Sequence, residues 1–166
     1  MRTIYADELL NTIAVAESNG NYNAYFGNST NDQVLFTEMS VTEVVEWQDQ
    51  FVAAGNASSA VGRYQFINTT LRSLIDQLGV DPKATFDAGM QDTLAEALLA
   101  RRGVHEYLDG RITRDEFAFN LSKEWAGLPK TIGENPETSY YAGDSQNEAR
   151  ATINQLRAAI ETVREI

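Results

Sequence analysis

Apolar residues recur along this chain mostly at helical spacing. Leu9, Leu10 and Ile13 mark one face of a first helix, which Asp7 is placed to cap and which runs to about Ser18 before Asn19-Gly20. Ser40 with Glu43 forms a capping box, and Val44, Val45, Trp47, Gln48, Phe51 and Val52 follow as far as Gly55. Leu71, Leu74, Ile75 and Leu78 define a further helix stopped by Gly79, and Met90, Leu94, Ala97 and Leu98 another that ends near Gly103. A second capping box, Thr113 with Glu116, precedes Phe117, Leu121 and Trp125, with Pro129 closing that helix. Ile153, Leu156, Ile160 and Val163 place a C-terminal helix over about 146–165, packing on the rest. Trp47, Phe51 and Trp125 fall on apolar faces and read as core.

Residues 20–37 break this pattern. They are rich in Asn, Gly and aromatics and carry no helical period, so they read as an irregular segment or a β-hairpin around Gly27-Asn28. The stretch 130–147, with Tyr140 and Tyr141 adjacent, reads as a loop. Neither internal repeats nor a low-complexity linker divide the chain. The expected fold is α+β, predominantly α, in one domain over residues 1–166.

Composition narrows the chemistry. At 166 residues the chain buries about two-thirds of its unfolded surface, enough to fold without a metal or a disulfide. The sequence has no cysteine, which excludes thiol nucleophiles, Cys-based zinc sites and structural bridges. A net charge of −11 argues against nucleic acid as a partner, because phosphate binding depends on Lys and Arg. The N-terminus does not read as a secretory signal, and no apolar run approaches the ~18 residues that span a bilayer. Membrane insertion is therefore not expected. His105 is the single histidine and reads as a surface residue. With no nucleophile elbow and no calcium-loop pattern, neither a catalytic triad nor a metal or other cofactor is expected.

Glu17 is the position that stands out. It lies four residues after Ile13 and seven after Leu10, which puts it on the buried stripe of the first helix. It also occupies the last turn, where the negative end of the helix dipole disfavours a carboxylate. Partial burial acts in the same direction, so its pKa is expected to rise. That is what a carboxyl general acid working near neutral pH requires. Spacing alone also allows a helix-end Glu whose carboxylate simply reaches water.

Four segments carry a resemblance. AVAES (14–18), LFT followed by Glu38 (35–38), SAVGRYQFI (59–67) and WAGLP (125–129) are similar, in order and spacing, to segments of the lambda-type phage endolysins. The match covers about residues 8–130. Glu17-Ser18 with Gly62-x-x-Gln65 also resembles goose-type lysozymes and soluble lytic transglycosylases. SYYAGD (139–144) resembles lysozyme-like domains of phage genomes.

The resemblance implies a lysozyme-like domain that cleaves the β-1,4 bond between N-acetylmuramic acid and N-acetylglucosamine, with Glu17 protonating the leaving oxygen. A lytic transglycosylase needs one carboxyl and leaves 1,6-anhydro ends. A hydrolysing muramidase needs a second carboxylate. Among Asp32, Glu38, Glu43 and Asp49, only Glu38 matches an acidic position of the family. Tyr64 and Gln65, with Ser18 and Glu38, are the expected substrate-binding residues. Tyr22, Tyr25 and Phe26 either line the sugar cleft or pack, and Tyr140 and Tyr141 are candidates for its rim. The expected partner is bacterial peptidoglycan, with phage tail or virion proteins as a further possibility. A free enzyme would be a monomer, waiting in the host cytoplasm before reaching the wall, unless it is carried in the virion. A rival from another class is a non-catalytic, glycan-binding virion module of the same fold.

Overall fold

The computed structural model describes residues 2–143 and 147–166. Its elements run β1 (Ile4–Tyr5), α1 (Asp7–Ser18), α2 (Val41–Ala53), α3 (Asn68–Leu78), α4 (Ala88–Arg101), α5 (Val104–Leu108), α6 (Arg114–Glu124), α7 (Ile153–Glu161) and β2 (Arg164–Glu165). The fold is α+β with helix dominant. The chain forms two compact units, one of Met1–Glu17 with Ala95–Ile166, the other of Ser18–Leu94. Helix α1 belongs to the first unit up to its final residue, Ser18, and α4 begins in the second unit and ends in the first.

In the first unit, β1 and β2 pair antiparallel, Ile4 with Glu165 and Tyr5 with Arg164. The Arg164 guanidinium lies 4.1 Å from the centre of the Tyr5 ring. Leu9, Ile13, Phe117, Leu121, Leu156 and Ile160 are fully buried, and α6 packs on α7. Asp7 is not a cap but the first helical residue; the Ala6 carbonyl accepts the first helical N–H, from Leu10. An acidic residue in the first turn still benefits from the positive end of the dipole.

Helix α6 stops at Glu124 rather than at Pro129, because Trp125 turns extended (φ −123°, ψ 110°) and buries its indole. The C-terminal helix is shorter than expected at both ends. A Thr152–Gln155 capping box starts it at Ile153, and the chain leaves it to form β2. The proposed start of that helix at Gln146 and the end of SYYAGD at Asp144 lie outside the described residues. Helix α5 was not anticipated; Gly103 at φ +104° makes the break between it and α4.

In the second unit, both members of the Ser40–Glu43 capping box are formed at the start of α2. Phe36, Val44, Val61, Phe66, Leu71 and Phe86 form its core. Residues 20–37 take the irregular alternative: they hold one internal bridge, Tyr25 with Asn28, a second from Tyr25 to Val61, and the start of a three-residue 3-10 turn at Phe36–Glu38. Asparagine side chains supply the order that a strand ladder would have given. Buried Asn31 donates to the carbonyls of Asn23 (2.6 Å) and Val34 (2.8 Å) and accepts from the amides of Gln33 and Val34. Asn21 donates to the carbonyls of Ser29 and Asn31. Short amide side chains that compete for backbone groups favour such a loop over a sheet. Trp47 and Phe51 are only half-buried, in an aromatic cluster with Tyr25 and Phe36.

Candidate active site

Glu17 ends the first unit's share of α1, one turn beyond buried Ile13. The last turn of this helix has no basic residue to offset the dipole. The carboxyl is half-buried against the turn at 125–128. There the Gly127 amide donates to Oε1 over 3.4 Å, a long bond. Close approach is possible because residue 127 has no side chain: a Cβ would lie 3.1 Å from the Ala16 carbonyl and 3.2 Å from Glu17 Oε2. Loss of hydration pushes the Glu17 pKa from 4.5 up to about 7, against the opposing pull of the Gly127 amide and the positive charge of Arg150. The group thus holds a proton near neutral pH, and the positive charge of Arg150 favours the carboxylate that remains once that proton is gone.

In the second unit, residues 62–65 form a tight turn between Val61 and Phe66, which exchange both backbone hydrogen bonds, at 3.0 and 2.9 Å. Gly62 (φ +85°) and Gln65 (φ +51°) take left-handed backbone conformations at its ends. Buried Gln48 of α2 braces the turn's base by donating to the Ser59 and Phe66 carbonyls. Gln91 of α4 braces its tip by accepting from the Arg63 amide. Ser18 Oγ donates to the Arg63 carbonyl at 2.6 Å.

The Tyr64 ring is buried, and its hydroxyl donates to Asp92 Oδ1 at 2.7 Å while accepting from Arg63 Nη1. Tyr22 donates to the same Asp92 oxygen at 2.9 Å. The Arg63 guanidinium lies over both rings, 5.1 Å from the Tyr22 centroid and 5.4 Å from that of Tyr64. Burial, with the bond to Asp92, raises the pKa of both tyrosines, so both remain proton donors. Gln65 is half-buried, with Nε2 turned back on the Gly62 carbonyl at 2.8 Å.

Residues 7–164, nearly the whole chain and both units, match the family model described as Endolysin. The chain belongs to the endolysin family. No curated protein matches it. As an endolysin it is a phage enzyme that degrades bacterial peptidoglycan.

In this endolysin the other acidic candidates have distinct surroundings. Glu38 is exposed at the end of the 3-10 turn. Asp32 is exposed and accepts from Gln33. Glu43 is the return arm of its capping box, whose hydrogen bonds hold its pKa below the ordinary value. Asp49 pairs with Arg72 and Asn68, and the Arg72 hydrogen bonds lower its pKa too.

Tyr25 bridges Asn28 and Val61 through its backbone and packs against Phe36, Trp47 and Phe51. Tyr140 and Tyr141 are exposed and in edge-to-face contact, with the Tyr141 hydroxyl on the Lys123 carbonyl. His105 is half-buried, with its ring partly exposed and its Nδ1 shielded from solvent. No helix among the described residues is long and apolar enough to cross a membrane.

Four residues of these surroundings escaped the sequence: Gln91, Asp92, Gly127 and Arg150. Gln91 and Asp92 lie inside a helical pattern that gives a Gln or Asp no special meaning. Gly127 falls at the variable position of the Trp-Ala-x-Leu-Pro segment, so no motif pointed to it.

Proposed function

We propose that this endolysin is a lytic transglycosylase that cleaves the MurNAc–GlcNAc β-1,4 bond, with Glu17 as its general acid. The observation that carries the reading is the desolvated Glu17 carboxyl, kept protonated up to about pH 7 at the end of α1. Glu17 gives its proton to the glycosidic oxygen as the bond from the muramoyl C1 breaks. The resulting carboxylate then takes the proton of the muramoyl 6-hydroxyl while that oxygen bonds to C1. The donor is regenerated, no water is consumed and a 1,6-anhydro ring closes.

Ser18, Tyr22, Tyr25, Tyr64, Gln65 and Glu38 are proposed to serve the glycan. Tyr64 would do so by shaping the 62–65 turn, since its hydroxyl is engaged by Asp92 and Arg63. The family match through both units supports treating residues 1–166 as one functional domain. Release from the host cytoplasm to the wall, as a monomer, follows from the same reading.

The test is the mass of the glycan ends released from purified sacculi. Anhydro ends weigh one water less than reducing ends. A product dominated by reducing muramic acid would replace the transglycosylase by a hydrolysing muramidase and make Glu38 the candidate second carboxylate. No cleavage by the pure, folded protein would favour a glycan-binding virion module instead.

A further inference from the structure

Glu17 has neighbours that its own helix does not supply. The Gly127 amide donates to its carboxyl, and the Gly127 carbonyl accepts from the backbone N–H groups of Arg150 and Ala151, at 2.8 and 3.2 Å. Residue 127, through its N–H on one side and its C=O on the other, thus links Glu17 to the segment at 150–151. The Arg150 main chain is therefore fixed, while its side chain is exposed. That side chain borders a depression of about 220 Å³ shared with Val15, Ala16 and Gln155, next to the end of α1.

Several charged groups of this unit are engaged elsewhere. Glu124 of α6 pairs with Arg102, Lys130 donates to the Glu134 carbonyl, and Arg157 of α7 pairs with Asp115. Lys123 lies over the Phe119 ring. Among the described residues, Arg150 is the one whose charge pulls the Glu17 pKa back down.

We propose that Arg150 is a positioning residue for the general acid: its main chain anchors residue Gly127, whose amide meets Glu17, and its guanidinium stabilises the carboxylate left after proton donation. The proposal rests on the reading of Glu17 as the acid. A carboxylate formed in a partly dry site lacks the water that would otherwise stabilise it. A nearby cation makes up part of that loss and lowers the cost of giving up the proton. Solvent reaches Arg150 through the depression, so the effect is moderate rather than that of a buried ion pair.

The test compares wild type, Arg150→Gln and Arg150→Lys in the full chain. The Glu17 carboxyl is titrated by 13C NMR, its signal assigned by its loss in Glu17→Gln, and cleavage of sacculi is followed against pH. Arg150→Gln keeps the backbone bond and removes the charge. It should raise the Glu17 midpoint by about 0.5–1 pH unit, a shift suited to one solvated charge nearby. The alkaline limb of the rate profile should move up with it, and kcat should fall about 3–10-fold with little change in KM, the loss expected of weaker transition-state stabilisation. Arg150→Lys should restore both. A titration of Arg150→Gln that superimposes on wild type overturns the proposal, as does a shift that lysine leaves uncorrected. Activity retained by Glu17→Gln would instead remove the reading of Glu17, and the NMR titration would still report on Arg150.

Discussion

A Cβ on Gly62 would stand 2.5 Å from Oε1 of Gln91, so the 62–65 turn and α4 meet where only glycine fits. Gln91 is buried and cannot swing aside cheaply. Its Oε1 holds the Arg63 amide, and its Nε2 donates to the Tyr22 and Phe86 carbonyls. Gly62→Ala should therefore lose stability twice, through the clash and through its φ of +85°. The expected cost is about 2–4 kcal/mol, read from denaturant unfolding. A loss below about 0.5 kcal/mol, the level of an ordinary surface change, would show that Gln91 yields freely.

Asp92 joins Tyr22 and Tyr64 through one oxygen, so the two hydroxyls should not act independently. Tyr64→Phe should cost about 1–3 kcal/mol, because it leaves Asp92 and Arg63 short of a partner in a partly buried place. Tyr22→Phe should cost less, since Tyr22 is only half-buried. The double variant should deviate from the sum by at least about 0.5 kcal/mol. Strict additivity in a double-mutant cycle would mean that the shared oxygen couples nothing.

How much of this was legible in the sequence depended on range. The Ser40–Glu43 and Thr113–Glu116 boxes were readable because each is closed within four residues. The Thr152–Gln155 box carries the same signal, and reading it would have placed the start of α7 correctly. Glu17 was legible because i, i+4 spacing from Ile13 fixes its face on α1. The contacts that tune it were not: Gly127 is 110 residues away, and only the folded chain brings it there. Asp92 meets Tyr22 across 70 residues for the same reason. The two strands are two residues each, too short for an alternating pattern to appear.

Glu17 should also cost the fold stability as pH rises. Its pKa is about 7 when folded and 4.5 in the reference state. Below pH 4.5 both states bind the proton and nothing is lost. Between these values the unfolded chain releases its proton first, so stability falls, and the loss is complete above pH 7. Glu17→Gln should match wild type in acid and become more stable than it at neutral pH, by on the order of 2 kcal/mol. Melting curves across this range check it, and a constant difference between the two proteins would argue against a raised pKa.

An acidic enzyme also meets an acidic wall. If its net charge of −11 slows encounter, cleavage should quicken as salt rises from about 0.01 to 0.1 M, because the Debye length falls from about 30 to about 10 Å. A rate that falls steadily with salt would instead point to capture of the wall by basic side chains acting against the net charge.

The most direct measurement is the turnover of Glu17→Gln on purified sacculi at about pH 6, beside wild type. Glutamine keeps the size and the contact with the Gly127 amide but has no proton to donate. The rate should fall about 10²–10⁴-fold, the range expected for loss of a general acid, while the protein stays folded. A folded variant that keeps more than a few per cent of wild-type activity would contradict the assignment of Glu17.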